Sequence, residues 1–322
     1  MKPTVYQPWV FRFAVFTACV ALLPIVMGGL VTTMKAGMAF ADWPSSDGHG
    51  MFAYPWLQSA GDKFFEHGHR LAGMLIGFVS IALAAILWVR ETRTWVRWCG
   101  VAVLLCVIAQ GLLGGQRVLL DQLGLAFLHG GFANLVFAFM AAVALFTSRG
   151  WINASESVTP KNIRRIRTFA AASTAVLFVQ YILGGLLRHL GWWPHQHLGF
   201  AVVVFVVVSL TVWVARTDKQ PWIWKPAHWL AMMLVAQIAL GCGAWVTKFG
   251  FGNYLVVEGS LSQVIFRTAH FVVGLLTFMV SVNLLLRAAR LCAVDRSSRN
   301  NAPVIKNSLV SPHPFSLQGG VR

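Results

Sequence analysis

The sequence predicts an all-α integral membrane protein whose eight transmembrane helices form two pseudo-symmetric four-helix bundles. Three observations carry that expectation. Hydrophobic residues make up 57% of the 322-residue chain and charged residues 11%, with a mean hydropathy of +0.67, which is too little charge to clothe a water-soluble surface. Eight apolar runs each approach the roughly 20 residues needed to cross about 30 Å of hydrocarbon as a helix, with every backbone group bonded inside the segment. The runs also fall into similar consecutive pairs, the mark of an internal repeat.

The first run, Phe11 to Thr33, is too long for the apolar core of a signal peptide. Lys35 and Asp42 follow it instead of a small-residue cleavage site, and no Arg-rich, Ser-rich organelle presequence precedes it, so it is expected to remain as a helix. The next spans are expected at Leu71 to Val89, Trp98 to Val118, Leu125 to Phe146, Phe169 to Leu187, Leu198 to Ala215, Ala227 to Val246 and Val264 to Leu286. Residues after Arg290 include Asp295, Ser297, Ser298, Asn300 and Asn301, and residues 291–322 read as a disordered cytoplasmic tail.

The formal net charge is +16, from 26 Lys+Arg against 10 Asp+Glu. These cations lie between the apolar runs, so the bilayer rather than nucleic acid is the expected partner. Nineteen of the 26 fall on the side of the N-terminus, the even-to-odd loops and the tail; the other side holds Lys35, Lys63, Arg70, Arg117, Arg188, Lys248 and Arg267. Both termini are therefore expected in the cytoplasm. The five cysteines lie in or beside apolar stretches without a CxxC, which supports neither a disulfide framework nor a zinc site.

Gln110-Gly111-Leu112-Leu113-Gly114-Gly115 in the third span, Gln180-Tyr181-Ile182-Leu183-Gly184-Gly185 in the fifth and Gln237-Ile238-Ala239-Leu240-Gly241-Cys242 in the seventh share the pattern Gln-x-x-Leu-Gly, and Pro24-Ile25-Val26-Met27-Gly28-Gly29 is a weaker copy in the first. An outer loop and then a histidine at the start of the next span follow each copy: His69, His129, His197 and His270. Four copies of a two-helix hairpin divide the chain into an N-terminal half, residues 1–150, and a C-terminal half, residues 151–290, with a polar basic loop around Ser155 to Arg167 joining them. Glycine by itself needs no more explanation than close helix approach in a membrane bundle.

Ionisable groups inside a membrane are costly and point to function. The four histidines all begin even-numbered spans and so share one depth near the outer leaflet. Two helices of one half that aim imidazoles at each other across a gap make the arrangement that coordinates an iron porphyrin axially. His69 with His129, and His197 with His270, give two haem-sized sites. His67 and His195 lie two residues before ligand candidates and would face away, while His49, His189, His228 and His313 have no repeat partners and read as solvated. Glu66 stands three positions before His69 on the same helix face. The matching positions hold Ala126, Pro194 and Arg267, so only the first half carries an acid, one able to stabilise positive charge or move a proton. Arg70, Arg117, Arg188 and Arg267 lie at the same outer face and are candidate partners for haem propionates.

With these residues in view, the chain resembles the haem A synthases, the membrane enzymes that make haem A for terminal oxidases. The resemblance runs from about Gly28 to Arg287 and is most specific in Gly28-Gly29-Leu30-Val31-Thr32-Thr33, in Gly37-Met38-Ala39-Phe40-Ala41-Asp42-Trp43-Pro44 and in Phe65-Glu66-His67-Gly68-His69-Arg70-Leu71-Ala72-Gly73. It implies an oxidoreductase that converts the C8 methyl of haem O to the formyl group of haem A by successive hydroxylations with loss of water. It implies haem B as cofactor on His197 and His270, haem O as substrate at His69 and His129, and Glu66 as the catalytic carboxylate. It also implies a bacterial plasma-membrane location with the haem sites toward the outer face, and it makes a haem O synthase, an electron donor or acceptor and further copies of the chain candidate partners. Some members carry a cysteine pair in the first outer loop, which this chain lacks, and an Arg after each ligand histidine, which here survives only as Arg70; Gly130, Leu198 and Phe271 stand at the others.

Two other classes compete. A bis-histidine membrane cytochrome that only carries electrons would need haems near both faces, and the candidates here lie at one. A transporter would more typically have inverted repeats and helices broken at mid-membrane, whereas these copies are two spans long and hence parallel.

Overall fold

The structure is a computed structural model and describes residues 5–154, 158–217 and 220–300. Among these residues there are eight helices long and apolar enough to span a membrane: α1 (Pro8–Thr33), α2 (Asp62–Arg90), α3 (Thr94–Leu120), α4 (Leu123–Thr147), α5 (Ile163–Leu190), α6 (Pro194–Arg216), α7 (Pro221–Phe249) and α8 (Leu261–Asn300). A 3-10 turn at Trp56–Gln58 and a short helix at Arg149–Ile152 complete the described helical segments named here. All eight expected spans are present, which establishes an all-helical multi-pass membrane protein. Large apolar side chains such as Phe205, Trp213 and Trp229 stand exposed along the helices, as lipid requires and water would penalise.

Two boundaries differ from expectation in ways that matter. Helix α2 begins nine residues before Leu71, because the 3-10 turn gives it an abutment: the Trp56 ring stacks on Phe64 at 5.1 Å, and its indole N–H donates to the Phe64 carbonyl at 2.8 Å. Glu66, His67, His69 and Arg70 are therefore helical, so Glu66 stands i to i+3 with His69 and i to i+4 with Arg70. Helix α8 continues through residue 300, so residues 291–300 are helical where a disordered tail was expected. Leu291 and Cys292 are buried in the apolar cluster of α5, α6 and α7, and that packing extends the helix past the membrane span. Residues 301–322, the rest of that expected tail, and with them His313, lie outside the described residues. The basic linker is also shorter than read, since α5 starts at Ile163 and takes Arg164, Arg165 and Arg167 into a helix.

Helices α1 to α4 pack in sequence, with α4 closing back on α1; α5 to α8 do the same, with α8 closing on α5. The two groups meet where α4 touches α5 and α8, and where α1 touches α8. Polar contacts sew this seam. Arg188 of α5 donates through Nη2 to the Gly29 carbonyl at 2.6 Å and to Thr33 Oγ1 at 2.9 Å on α1. Thr268 of α8 donates to the same threonine at 3.1 Å, and Tyr181 of α5 donates to the Gly130 carbonyl of α4 at 2.9 Å. In lipid, where helix faces gain little by burying hydrocarbon, contacts of this kind and close van der Waals packing do the joining.

The loop between α1 and α2 folds down onto α3. The Trp43 indole covers Gly115, where a methyl group would lie 2.4 Å from the ring. Arg117 reaches the Gly37 carbonyl and Met38 Sδ. Gly115→Ala is expected to push the loop off α3 and to cost about 1–3 kcal/mol, read as a lower thermal midpoint of the purified protein in detergent relative to Gly111→Ala, where a methyl group meets no atom within 4 Å.

Candidate functional site

The histidine pairs read from the repeat are pairs in space. The rings of His69 and His129 have centroids 6.1 Å apart and planes at 89°. Those of His197 and His270 are 6.2 Å apart at 88°. With metal–nitrogen bonds of about 2 Å, two imidazoles that grip one ion from opposite sides have centroids roughly 6 Å apart. Among the described residues no group of three or more His, Cys, Asp or Glu could hold a metal ion, so each pair brings two imidazoles together and would leave any further metal donors to a ligand. A tetrapyrrole supplies such donors.

Each imidazole is seated by the helix before its own, and the repeat motif is the seat. A Cβ built on Gly28, Gly114, Gly184 or Gly241 would lie 2.9, 2.9, 3.1 and 3.0 Å from Cε1 of His69, His129, His197 and His270 respectively. The glycine in register is thus a notch for an imidazole, a more specific role than close helix approach alone. One turn earlier stands the polar member. The Gln110 amide donates to the His129 carbonyl at 2.8 Å and lies 3.2 Å from its Nδ1. The Gln180 amide donates to the His197 carbonyl at 3.0 Å, and the Gln237 amide lies 3.4 Å from His270 Nε2. The backbones of Gln110, Gln180 and Gln237 also hydrogen-bond their histidines, and in the first copy, read from sequence as the weaker one, the Pro24 backbone carbonyl acts alone: His69 Nδ1 lies 2.9 Å from it. A carbonyl only accepts, so Nδ1 carries the proton and Nε2 is left bare for a metal.

Glu66 is 4% exposed. Its Oε1 accepts from Arg70 Nη2 at 2.7 Å and its Oε2 from the Ala39 N–H at 2.7 Å. Arg70 in turn donates through Nη1 to the carbonyls of Asp42 at 2.9 Å and Ser45 at 2.6 Å, and lies over the Phe40 ring at 5.0 Å. This buried ion pair fixes the loop between α1 and α2 beside the His69 pair, so the three most specific sequence stretches of the N-terminal half converge on one place. The loop has its own clip outside the membrane: the Asp42 carboxylate accepts from the N–H groups of Asp47 at 3.0 Å and Gly48 at 2.9 Å. Burial pushes the Asp42 pKa up, but hydrogen bonds from the Ser45 side chain and from the Gly48 and Asp47 N–H groups outweigh it and hold the pKa down at about 2.

The other candidates sort by contact. His67 faces away from the pair, as expected, and is buried with Nδ1 2.9 Å from Ser46 Oγ. His195 is exposed, its ring 6.2 Å from that of Trp245; His197, not His195, is the residue facing His270. His49 and His228 are exposed. His189 differs from expectation: it is half-buried, with Nε2 3.2 Å from where a Cβ on Gly130 would stand. It has no repeat partner because its neighbour comes from the other half, across the seam, which no hairpin repeat encodes. Among the arginines, Arg70, Arg117 and Arg188 donate to groups of the chain itself, Arg188 lying also over the Phe271 ring at 4.9 Å.

Eight apolar helices with two opposed histidine pairs, each histidine near the start of an even-numbered helix, define the class: a multi-pass membrane protein with paired imidazoles inside the helix bundle. Residues 53–193 match the family described as COX15-CtaA, cytochrome oxidase assembly protein. Curated relatives named heme A synthase include one of Rhizobium rhizogenes, 30% identical over 149 residues (44% of this chain and 40% of the relative). One of Bacillus cereus is 29% identical over 143 residues (42% and 43%), and one of Methylobacterium nodulans is 35% identical over 113 residues (31% and 30%). The chain thus matches less than half the length of these relatives, and the resemblance to haem A synthases read from its motifs is borne out over that stretch. The matching stretch holds Glu66, His69 and His129; His197 and His270 lie beyond it and rest on the repeat and on their own geometry.

The socket makes a paired expectation. Gly114→Ala forces the His129 ring aside, whereas Gly111→Ala, one turn away and in open space, leaves it in place. The first variant is expected to lose about 1–3 kcal/mol and the second less than about 1 kcal/mol, compared by thermal unfolding in detergent.

Proposed function

We propose that this chain is a haem A synthase, an oxidoreductase that converts the C8 methyl group of haem O to a formyl group. The observation that carries the reading is the combination of two opposed imidazole pairs in one chain with a buried carboxylate beside only one of them. On this reading the N-terminal half, residues 1–150, holds the substrate haem O between His69 and His129. The C-terminal half, residues 151–290, holds haem B between His197 and His270. Haem B when bound supplies one-electron redox chemistry. His69 and His129 orient the substrate ring, and the first outer loop, held by Glu66, Arg70 and Arg117, shields that end of the bundle from water. Glu66 is the catalytic carboxylate. Its ion pair with Arg70 fixes it one turn from His69, where it stabilises positive charge developing at the methyl carbon or takes the proton that leaves it. Arg267 is the candidate for a propionate, with Arg70, Arg117 and Arg188 engaged as described.

Truncating Glu66 to Ala would strand the buried Arg70 charge, at a cost of about 3–5 kcal/mol, so the informative variant is Glu66→Gln, which keeps an acceptor for the Ala39 N–H. In cells supplied with haem O, this variant is expected to lower haem A output at least about a hundredfold while the haem B spectrum of the purified protein is unchanged. Normal haem A output would take Glu66 out of the chemistry.

Both termini are proposed to lie in the cytoplasm, with the histidine pairs toward the outer face, on the strength of the Lys/Arg distribution. Alkaline phosphatase fused after Gly48 is then expected to be active in a bacterial host, and the same enzyme fused after Arg216 inactive. The opposite pattern would turn the sites toward the cytoplasm.

A further inference from the structure

The proposed reaction leaves His189 without a task, although it stands beside a proposed ligand. It belongs to the last turn of α5, in the C-terminal half, and reaches across the seam to α4. The two helices lock there by exchanging side chains. Phe127 of α4 lies on Gly185, where a Cβ would be 2.9 Å from its ring, and His189 of α5 lies on Gly130, where a Cβ would be 3.2 Å from its Nε2. The Tyr181 hydroxyl, about two turns before His189, donates to the Gly130 carbonyl at 2.9 Å. These contacts hold the His189 ring against the residue that follows His129 in the chain. The charged groups acting on His189 are the guanidiniums of Arg188 and Arg117, and those acting on His129 are His69, His189 and Arg117. No carboxylate is among them. Glu66, the acid of this half, is spent on Arg70. Among the described residues neither ring nitrogen of His189 has a hydrogen-bond partner.

We propose that His189 donates a hydrogen bond to a propionate of the tetrapyrrole held between His69 and His129, so that the C-terminal half contributes a binding residue to the N-terminal site. The proposal rests on the reading that this histidine pair ligates a haem. Such a ligand brings its own carboxylates to a place that has cations and a free donor but no acid. Even a neutral imidazole carries one N–H, and hydrogen bonds to an ionised acceptor are the strong ones. The exchange of Phe127 and His189 across the seam then does more than pack two helices, since it sets a donor at the edge of a site whose ligands both come from the other half.

The experiment titrates the full-length protein, purified from haem-depleted cells, with haem B or with its dimethyl ester, which keeps the iron and the ring but has no carboxylate. Binding is followed by the absorption of low-spin iron. Wild-type protein is expected to take up haem B in two steps, one per histidine pair. In His189→Leu one of the two steps is expected to weaken at least about tenfold, while the ester binds as it does to wild type; His189→Gln, which keeps an N–H donor, is expected to recover most of the loss. Equal weakening for haem B and the ester in His189→Leu marks a structural role and overturns the proposal, as does unchanged binding of both. If the Leu variant is not recovered folded, the affinity ratio of haem B to ester in His189→Gln and His189→Ala decides: a ratio that falls in Ala alone supports the assignment, and a ratio equal in both overturns it. Wild-type protein that binds neither compound would instead overturn the underlying reading.

Discussion

The structure depends on the seating of an imidazole in a notch of the preceding helix. A histidine in hydrocarbon must satisfy its ring nitrogens from the protein, and a helix surface has few groups to give, because its carbonyls and amides are spent on one another. The repeat solves this with a residue without a side chain, which lets the ring approach the helix backbone, and a hydrogen-bonding group one turn away, at the ring's edge. Four such seats on α1, α3, α5 and α7 dictate where α2, α4, α6 and α8 must pass. The separation of the rings within each pair follows from that path rather than from any contact between the two histidines.

Once the seats are repeated, the differences between the halves stand out. In the N-terminal half the loop after α1 is pulled down by the Glu66–Arg70 pair, by Arg117 and by Trp43 over Gly115, whereas the corresponding position in the fourth copy is Arg267 and its outer loop has no such acid to close on. A carboxylate and a guanidinium that are both nearly fully buried are poor devices for stability alone. They do define one conformation of a loop that would otherwise have several. The seam shows the same economy: Arg188 and Tyr181 spend their polar ends on backbone carbonyls of the opposite half, which join the halves through hydrogen bonds.

Much of this was legible in the sequence, for a physical reason. Crossing hydrocarbon imposes length and apolarity on a segment, so the eight spans stand out, and a duplicated hairpin repeats its costly residues, so the histidines, glutamines and glycines announce one another. What was hidden was whatever the period does not carry. Pro24 looked like a degraded glutamine because its contribution is made by the backbone. His189 looked solvated because its neighbour, Gly130, belongs to the other half. The start of α2 was placed late because the Trp56 abutment lies in an irregular loop, and the end of α8 was placed early because a polar composition conceals that Leu291 and Cys292 still face a core. The arginines were read as candidate partners for propionates, since nothing in a linear chain shows which backbone carbonyls will come within their reach.

Pro24 has a consequence for how such a molecule can change. Three of the seats add a side chain to the backbone carbonyl at that position, and a single codon can erase or exchange that addition. The fourth uses the peptide oxygen alone, which every amino acid possesses. Side-chain replacement at that position therefore cannot delete the acceptor for His69, only bend the helix that carries it, whereas in the other three copies the same replacement keeps the carbonyl and loses the amide.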